Sequence, residues 1–476
     1  MSEERSLVGG QVFRGHVFHV AGAATLVTAV ESLVSLPDGA LVVAPDGTIA
    51  WLGEYRRLPP EHAELPVRRA AYLLPGFVDA HLHYPQTFAV DSYGGGQLLE
   101  WLQHCIFPAE ARLSESEVAA RTAQEFVRRR VAAGTTAALV FGSAFPHAQD
   151  ALFKAHRAAG LRLVSGRGVQ TVGSPAATPL LTGEAEAIEL VSSEIERWHL
   201  ADTGDPRTAR LQVAVVPRFS LSVTPRTLAA LGELYASVRS RGVYFHSHLS
   251  ENDRPGDGEV AAVQQAYGVT DYLDTYDGRF LPGSAVGGAS LLGRRSILAH
   301  AVHCTDAELA RLAETSSSIA HCPTSQQFLG SGTMPWRRTT AAGITVALGT
   351  DIGAGDEWLV PRVLNDAYKV HLSEPGPASV ALHPAELLFT GTLAGARALD
   401  MDTRFGNLDV GKDADFVLVE PSGWEPLERN LDSNHRADDE AAAEVRTLFT
   451  LLMGLHEPAI ADMYIQGRAI RADPLG

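Results

Sequence analysis

Residues 72–83 read Tyr-Leu-Leu-Pro-Gly-Phe-Val-Asp-Ala-His-Leu-His. An apolar run of this length reads as a strand, and side chains two apart on a strand share a face. His81 and His83 therefore project together from the strand's end, and two neutral imidazoles side by side make half of a zinc site. Alone the signal is weak, because a chain with 18 histidines acquires such a pair by chance and His246-Ser-His248 is a second one.

Seven further apolar runs follow, at 135–143, 161–170, 211–220, 243–251, 296–303, 316–325 and 345–354. Helix-like stretches lie among them, for example Glu115 to Ala133, Pro225 to Ser240 and Asp306 to Glu314, the last with Thr305 or Asp306 as its cap. Eight βα units in succession predict an α/β fold, a (β/α)8 TIM barrel over residues 75–395, with its reactive groups at the C-terminal ends of the strands. Outside that range the period is that of strands. Gln11 to Val20 alternates, and Ala40 to Gly53 holds two short strands around an Asp-Gly turn. Asp413 to Glu420 and Met463 to Ile470 are β-like again. Segments 1–74 and 396–476 are expected to pair as halves of one small composite β-sandwich domain. The acidic stretch 432–444 and the Gly-rich stretch 283–293 read as surface loops.

The ends of other strands carry further candidates. His248 ends the fifth and is followed by Glu251, His300 ends the sixth in Leu-Ala-His, and Asp351 ends the eighth in Leu-Gly-Thr-Asp. Any one of them reads equally as a buried histidine with a backbone partner or an aspartate closing a loop. Several on one catalytic face are a different matter. Three histidines and a carboxylate suit a catalytic zinc that keeps a position for water.

Composition narrows the field. A formal net charge of −17 argues against nucleic acid as a partner, since phosphate binding is built on Lys and Arg clusters. No run approaches the ~20 apolar residues of a membrane span, and the charged opening Met-Ser-Glu-Glu-Arg-Ser lacks a signal peptide's apolar core. Cys105, Cys304 and Cys322 form neither a disulfide framework nor a Cys-x-x-Cys pair, which suits a reducing cytoplasm.

Several motifs together resemble the amidohydrolase superfamily, in its mononuclear aromatic deaminase branch, and more narrowly the guanine deaminases. They are His81-Leu-His83-Tyr-Pro-Gln86; Leu98-Leu-Glu-Trp101-Leu, leading to Phe107-Pro-Ala-Glu110; Pro217-Arg218-Phe219-Ser220-Leu-Ser; Ser247-His248-Leu-Ser-Glu251-Asn252; His321-Cys-Pro-Thr-Ser325; and Gly349-Thr-Asp351-Ile-Gly-Ala-Gly355. Two-metal members of that superfamily bridge their ions with a carboxylated lysine on the fourth strand. Here Lys154 falls between strands two and three, Lys369 after strand eight and Lys412 past the barrel. One ion is therefore favoured.

The resemblance implies Zn2+, with Fe2+ as the other ion such ligands accept, held by His81, His83, His248 and Asp351. His300 either joins them or hydrogen-bonds the attacking water. His246 is expected to sit one rung deeper than His248, packed or hydrogen-bonded. Glu251 is implied as the proton shuttle and Asp351 as acceptor of a proton from the water. Arg218 and Gln86 are implied to read the substrate, with Phe219 and Trp101 lining the pocket; Trp101 reads also as core packing of an amphipathic helix. His321 and Cys322 are expected to support strand seven, and residues 408–416 to lead back to the β-domain. The implied substrate is a purine base, guanine, and the implied assembly a homodimer. The rivals are a pterin, 8-oxoguanine or cytosine deaminase or a triazine hydrolase on the same scaffold. A non-catalytic scaffold protein is the remote one, since such proteins lose metal ligands.

Overall fold

The computed structural model of the chain describes residues 10–93, 98–256, 258–277, 289–434 and 440–471. The described strands are β1 (Gln11–Val20), β2 (Leu33–Val43), β3 (Ile49–Glu54), β4 (Val67–Pro75), β5 (Phe77–His83), β6 (Thr135–Gly142), β7 (Arg162–Val169), β8 (Leu211–Pro217), β9 (Tyr244–Leu249), β10 (Ser296–His300), β11 (Ser318–His321), β12 (Val346–Leu348), β13 (Phe416–Val419), β14 (Ile460–Ile465) and β15 (Arg468–Ile470). β5 to β12 form an eight-stranded sheet in sequence order with every neighbouring pair parallel. This is the (β/α)8 barrel, and each of its strands matches one of the eight apolar runs.

These runs read as nearly unbroken apolar stretches because a barrel strand is covered on both sides. Every residue of β6, β7 and β8 is buried. Helices cover the outside, among them Ser116–Ala132 after β5, Pro146–Ala159 after β6 and Pro225–Val238 after β8. The helix Asp306–Glu314 is started by a capping box, Thr305 with Glu308, which satisfies two backbone N–H groups that a helix otherwise leaves open. Where β12 meets β5 the closure is made by side chain and loop. The Asp79 carboxylate accepts from the Thr350 hydroxyl at 2.6 Å and from the N–H groups of Thr350 and His81, while the Asp351 N–H donates to the His81 carbonyl at 2.8 Å.

The run 72–83 is divided between two sheets. β4 ends at Pro75 in the outer sheet and β5 begins at Phe77 in the barrel, with Gly76 between them. A Cβ on Gly76 would lie 2.3 Å from the Thr136 side chain, so the crossing requires glycine. The outer sheet has seven strands in the order β15-β14-β13-β4-β1-β2-β3, so strands from the two ends of the chain lie side by side on β4. The turn between β2 and β3 contains Asp46 and Gly47 as the sequence suggested.

The two readings of surface loops need correction. Of 432–444, the described residues belong to the helices Glu425–Asn434 and Glu440–Gly454, and 435–439 lie outside the described residues. Acidic composition did not preclude a helix, because Glu and Ala are good helix formers. Residues 283–288 also lie outside the described residues, whereas Leu291 and Leu292 just beyond them are buried in the main core. No helix among the described residues is long and apolar enough to cross a membrane.

The segment 408–416 is clamped to the barrel. Arg162, buried at the start of β7, donates to Asp415 at 2.6 Å and to Asp413 at 2.7 Å, with both carboxylates buried as well. Removing one member of a buried ion pair leaves an uncompensated charge, at a cost of about 3–5 kcal/mol. An Arg162→Met variant is therefore expected to lose stability on that scale, read as a lower denaturant midpoint. An unchanged midpoint would show that the clamp contributes nothing.

Candidate active site

Period-two geometry on β5 places His81 and His83 together at the barrel's mouth, as the sequence suggested. His248 comes from β9, His300 ends β10, and Asp351 follows β12. The candidate ligand atoms of His81, His248 and His300 all lie within 4.8 Å of one another, and so do those of His81, His83 and Asp351. Asp351 Oδ1 is 3.2 Å from Nε2 of both His81 and His83, and His83 Nε2 is 3.3 Å from His248 Nε2. His300 Nε2 lies 3.3 Å from Glu251 Oε2 and 3.9 Å from Asp351 Oδ2.

Hydrogen bonds behind the rings fix their tautomers. His246 Nδ1 is 2.7 Å from the Ile297 carbonyl and can only donate to it, so His246 Nε2 is an acceptor for His81 Nδ1 at 2.8 Å. The proton of His81 is thus on Nδ1, and Nε2 turns a bare lone pair toward Asp351. His248 Nδ1 likewise donates to the Arg218 carbonyl at 2.6 Å, which leaves its Nε2 unprotonated. His81 Nε2 and both ring nitrogens of His300 are buried without a hydrogen-bond partner. A lone pair 3.2 Å from a carboxylate oxygen is repulsive unless a cation sits between them, so this donor set fits a divalent ion of the zinc class. Burial pushes His83 down to about 4, His300 to about 3 and His248 well below the ordinary range, which favours the neutral imidazole that metal binding requires.

The backbone is strained where these groups leave it. Ser250, His300, Ala301 and Asp351 all have positive φ, between 46° and 76°. Conformations of this kind cost about 1–3 kcal/mol each and persist where surrounding contacts enforce them. Here the enforcing contacts include Ala301 N–H on the Leu249 carbonyl at 2.9 Å.

Beside these candidate ligands opens a cavity lined by His83, Gln86, Leu98, Trp101, Arg218, Phe219, His248, Glu251 and Asp351 among others. Every residue that the sequence suggested for the site lines it or adjoins it. Glu251 is 3% exposed, and burial, with Asp351 and Glu259 nearby, pushes its carboxyl well above the ordinary range. The turn that carries it is held by Glu259, whose Oε2 accepts from the N–H groups of Glu251 and Asn252. Trp101 lines the cavity and also belongs to a core cluster with Leu98 and Phe107; its Nε1 donates to the Ser92 carbonyl at 2.9 Å. The helix it lies on has a π-helical turn at Leu102–Ile106, an irregularity that recurs at functional sites. His321 Nε2 is paired with His371 Nε2 at 3.0 Å, and His321 is not among the cavity-lining residues.

Three residues went unassigned in the sequence. Glu110 accepts both Arg218 and Gln86, and the signal was a carboxylate three residues after Phe107 on a helix face otherwise apolar. Asp79 shares strand parity with His81 and His83. Phe141 on β6 packs on the rings of His81, His83, His246 and His248, with centroids 4.7–5.5 Å apart, and nothing local marked it.

Loss of a group that orients a ligand histidine typically costs 10–100-fold in metal affinity. His246→Phe keeps an aromatic ring and deletes the acceptor for His81. Its affinity for a divalent ion, measured by chelator competition, is expected to fall about 10–100-fold; wild-type affinity would refute the tautomer assignment.

The amidohydrolase family model matches residues 72–452. A probable guanine deaminase of Deinococcus radiodurans is 38% identical over 451 residues, spanning 93% of this chain and 94% of that protein. The guanine deaminase of Escherichia coli is 34% identical over 445 residues, 92% of each chain. The solved structure of E. coli guanine deaminase superimposes with a TM-score of 0.82 at 30% identity, covering 97% of this chain and 98% of that one. Similarity running through barrel and outer sheet alike goes beyond a shared architecture, and the chain belongs to the amidohydrolase family, among its guanine deaminases.

Proposed function

We propose that this chain hydrolyses the exocyclic amine of guanine to give xanthine and ammonia, using one Zn2+ held by His81, His83, His248 and Asp351, with His300 facing both the ion and Glu251. The observation that carries the reading is the convergence of the ring nitrogens of His81, His83, His248 and His300 with Asp351 beside the buried carboxyl of Glu251. The absence of lysine from β8 supports a single ion. When bound, the ion supplies Lewis acidity that brings the pKa of an attacking water to about 7.

The chain's own groups do the rest. Glu251 gives its proton to the ring nitrogen beside the amine-bearing carbon, takes up the second proton of the attacking water as the new carbonyl forms, and passes it to the departing amine. Asp351 accepts a proton from the attacking water. Arg218 and Gln86 donate to the purine carbonyl, and Phe219 and Trp101 wall the ring. Adenine would oppose an amino group to these donors, and an unpaired buried polar group costs about 1–3 kcal/mol. The resemblance that supplies the substrate also carries the homodimer, which light scattering on the purified chain would read.

Two measurements test the reading. Purified protein with bound metal, identified by elemental analysis as zinc or iron, is expected to release ammonia and form xanthine from guanine, ahead of pterin, 8-oxoguanine, cytosine and triazine substrates. Inert guanine beside a reactive pterin would defeat the substrate assignment. Glu251→Gln is expected to retain the metal and lose about 10²–10⁴ in kcat; undiminished turnover would remove Glu251 from the proton path.

A further inference from the structure

Glu110 lies on the short helix Phe107–Ala111, 5% exposed, and is not among the residues lining the cavity. Arg218 Nη1 reaches both of its carboxylate oxygens at 2.7 Å, and Gln86 Nε2 donates to Oε1 at 2.9 Å. All three side chains are buried, so water contributes little screening. Arg218 follows β8 and Gln86 follows β5, so one carboxylate ties together groups from opposite parts of the barrel mouth.

Two consequences follow from elementary chemistry. An ionised carboxylate only accepts, so it forces the amide nitrogen of Gln86 to face it. The second N–H of that nitrogen is left to donate elsewhere. The amide oxygen is turned against Gly353, where a Cβ would lie 1.8 Å from it. Unpaired at the edge of a buried cavity, the Arg218 guanidinium would draw anions. Paired with Glu110 it keeps its remaining N–H donors and loses its net charge.

We propose that Glu110 is a positioning residue that sets the cavity's preference for an uncharged ring, by cancelling the charge of Arg218 and by fixing Gln86 as a donor. The proposal rests on the function given above and deepens it. Xanthine, with a carbonyl in place of the amine, is a more acidic ring than guanine and ionises closer to neutral pH. Glu110 therefore works against retention of the anionic product while Arg218 and Gln86 still hold the neutral substrate.

The test compares wild type with Glu110→Gln and Glu110→Asp, each loaded with metal and checked for cooperative unfolding. Glu110→Gln removes the charge and sets an amide N–H against Arg218, against Gln86 or against both, so that their shared arrangement on one carboxylate is broken. Its KM for guanine is expected to rise about tenfold or more, with a smaller change in kcat. Its inhibition by xanthine is expected to tighten, increasingly so as pH rises and xanthine ionises. The ratio of guanine to xanthine affinity should fall about 10–100-fold. Glu110→Asp keeps the charge and should restore weak xanthine inhibition even if KM stays high. A purely structural residue would weaken guanine and xanthine alike in both variants, and that outcome overturns the proposal alone. Wild type that leaves guanine untouched overturns the proposed function and this proposal with it.

Discussion

At the mouth of the barrel a bare imidazole lone pair on His81 faces the Asp351 carboxylate at 3.2 Å, out of water. Two electron-pair donors so close and so buried repel one another, and only positive charge between them relieves it. The rest of the site follows from that constraint. The proton of His81 is pinned away from Asp351 by His246, itself pinned by the Ile297 carbonyl. Left-handed backbone at His300 and Asp351 turns both side chains inward at the ends of their strands. Burial pushes His83 and His300 toward their neutral forms and, in the same cavity, pushes the Glu251 carboxyl well above its ordinary range. One desolvated environment thus suits both candidate metal ligands and a candidate acid.

Much of this was legible because it is periodic. The eight apolar runs became eight parallel strands, since a strand buried on both faces must be apolar throughout. His81 and His83 were legible by parity, and His248, His300 and Asp351 by their position at the ends of such runs. The assignment of His246 to a deeper, hydrogen-bonded place also agrees with the geometry. What escaped was non-local. Phe141 backs four histidines only because β6 lies beside β5, and the residue itself is an ordinary strand aromatic. Glu110 acquires meaning from Arg218, more than a hundred positions away in sequence. The boundary between sheets inside 72–83 escaped for the opposite reason. Both halves of the run are strand, and only the packing of Thr136 against Gly76 shows where one sheet stops.

The outer sheet and the barrel are coupled by charge as well as by backbone. Arg162 on β7 meets Asp413 and Asp415 just before β13, and Asp415 also accepts the Gln466 N–H between β14 and β15. A single barrel arginine therefore organises the approach of the last strands. The Gly76 N–H on the Asp415 carbonyl joins the same place to the crossing between β4 and β5.

That crossing has a consequence for how the chain is made. β4, which leads directly into the strand bearing His81 and His83, pairs on one side with β1 and on the other with β13. Its second neighbour, and the carboxylates that neutralise Arg162, emerge from the ribosome only after every barrel strand has been synthesised. His81 and His83 are thus joined directly to a strand whose second neighbour is synthesised only after the last barrel strand.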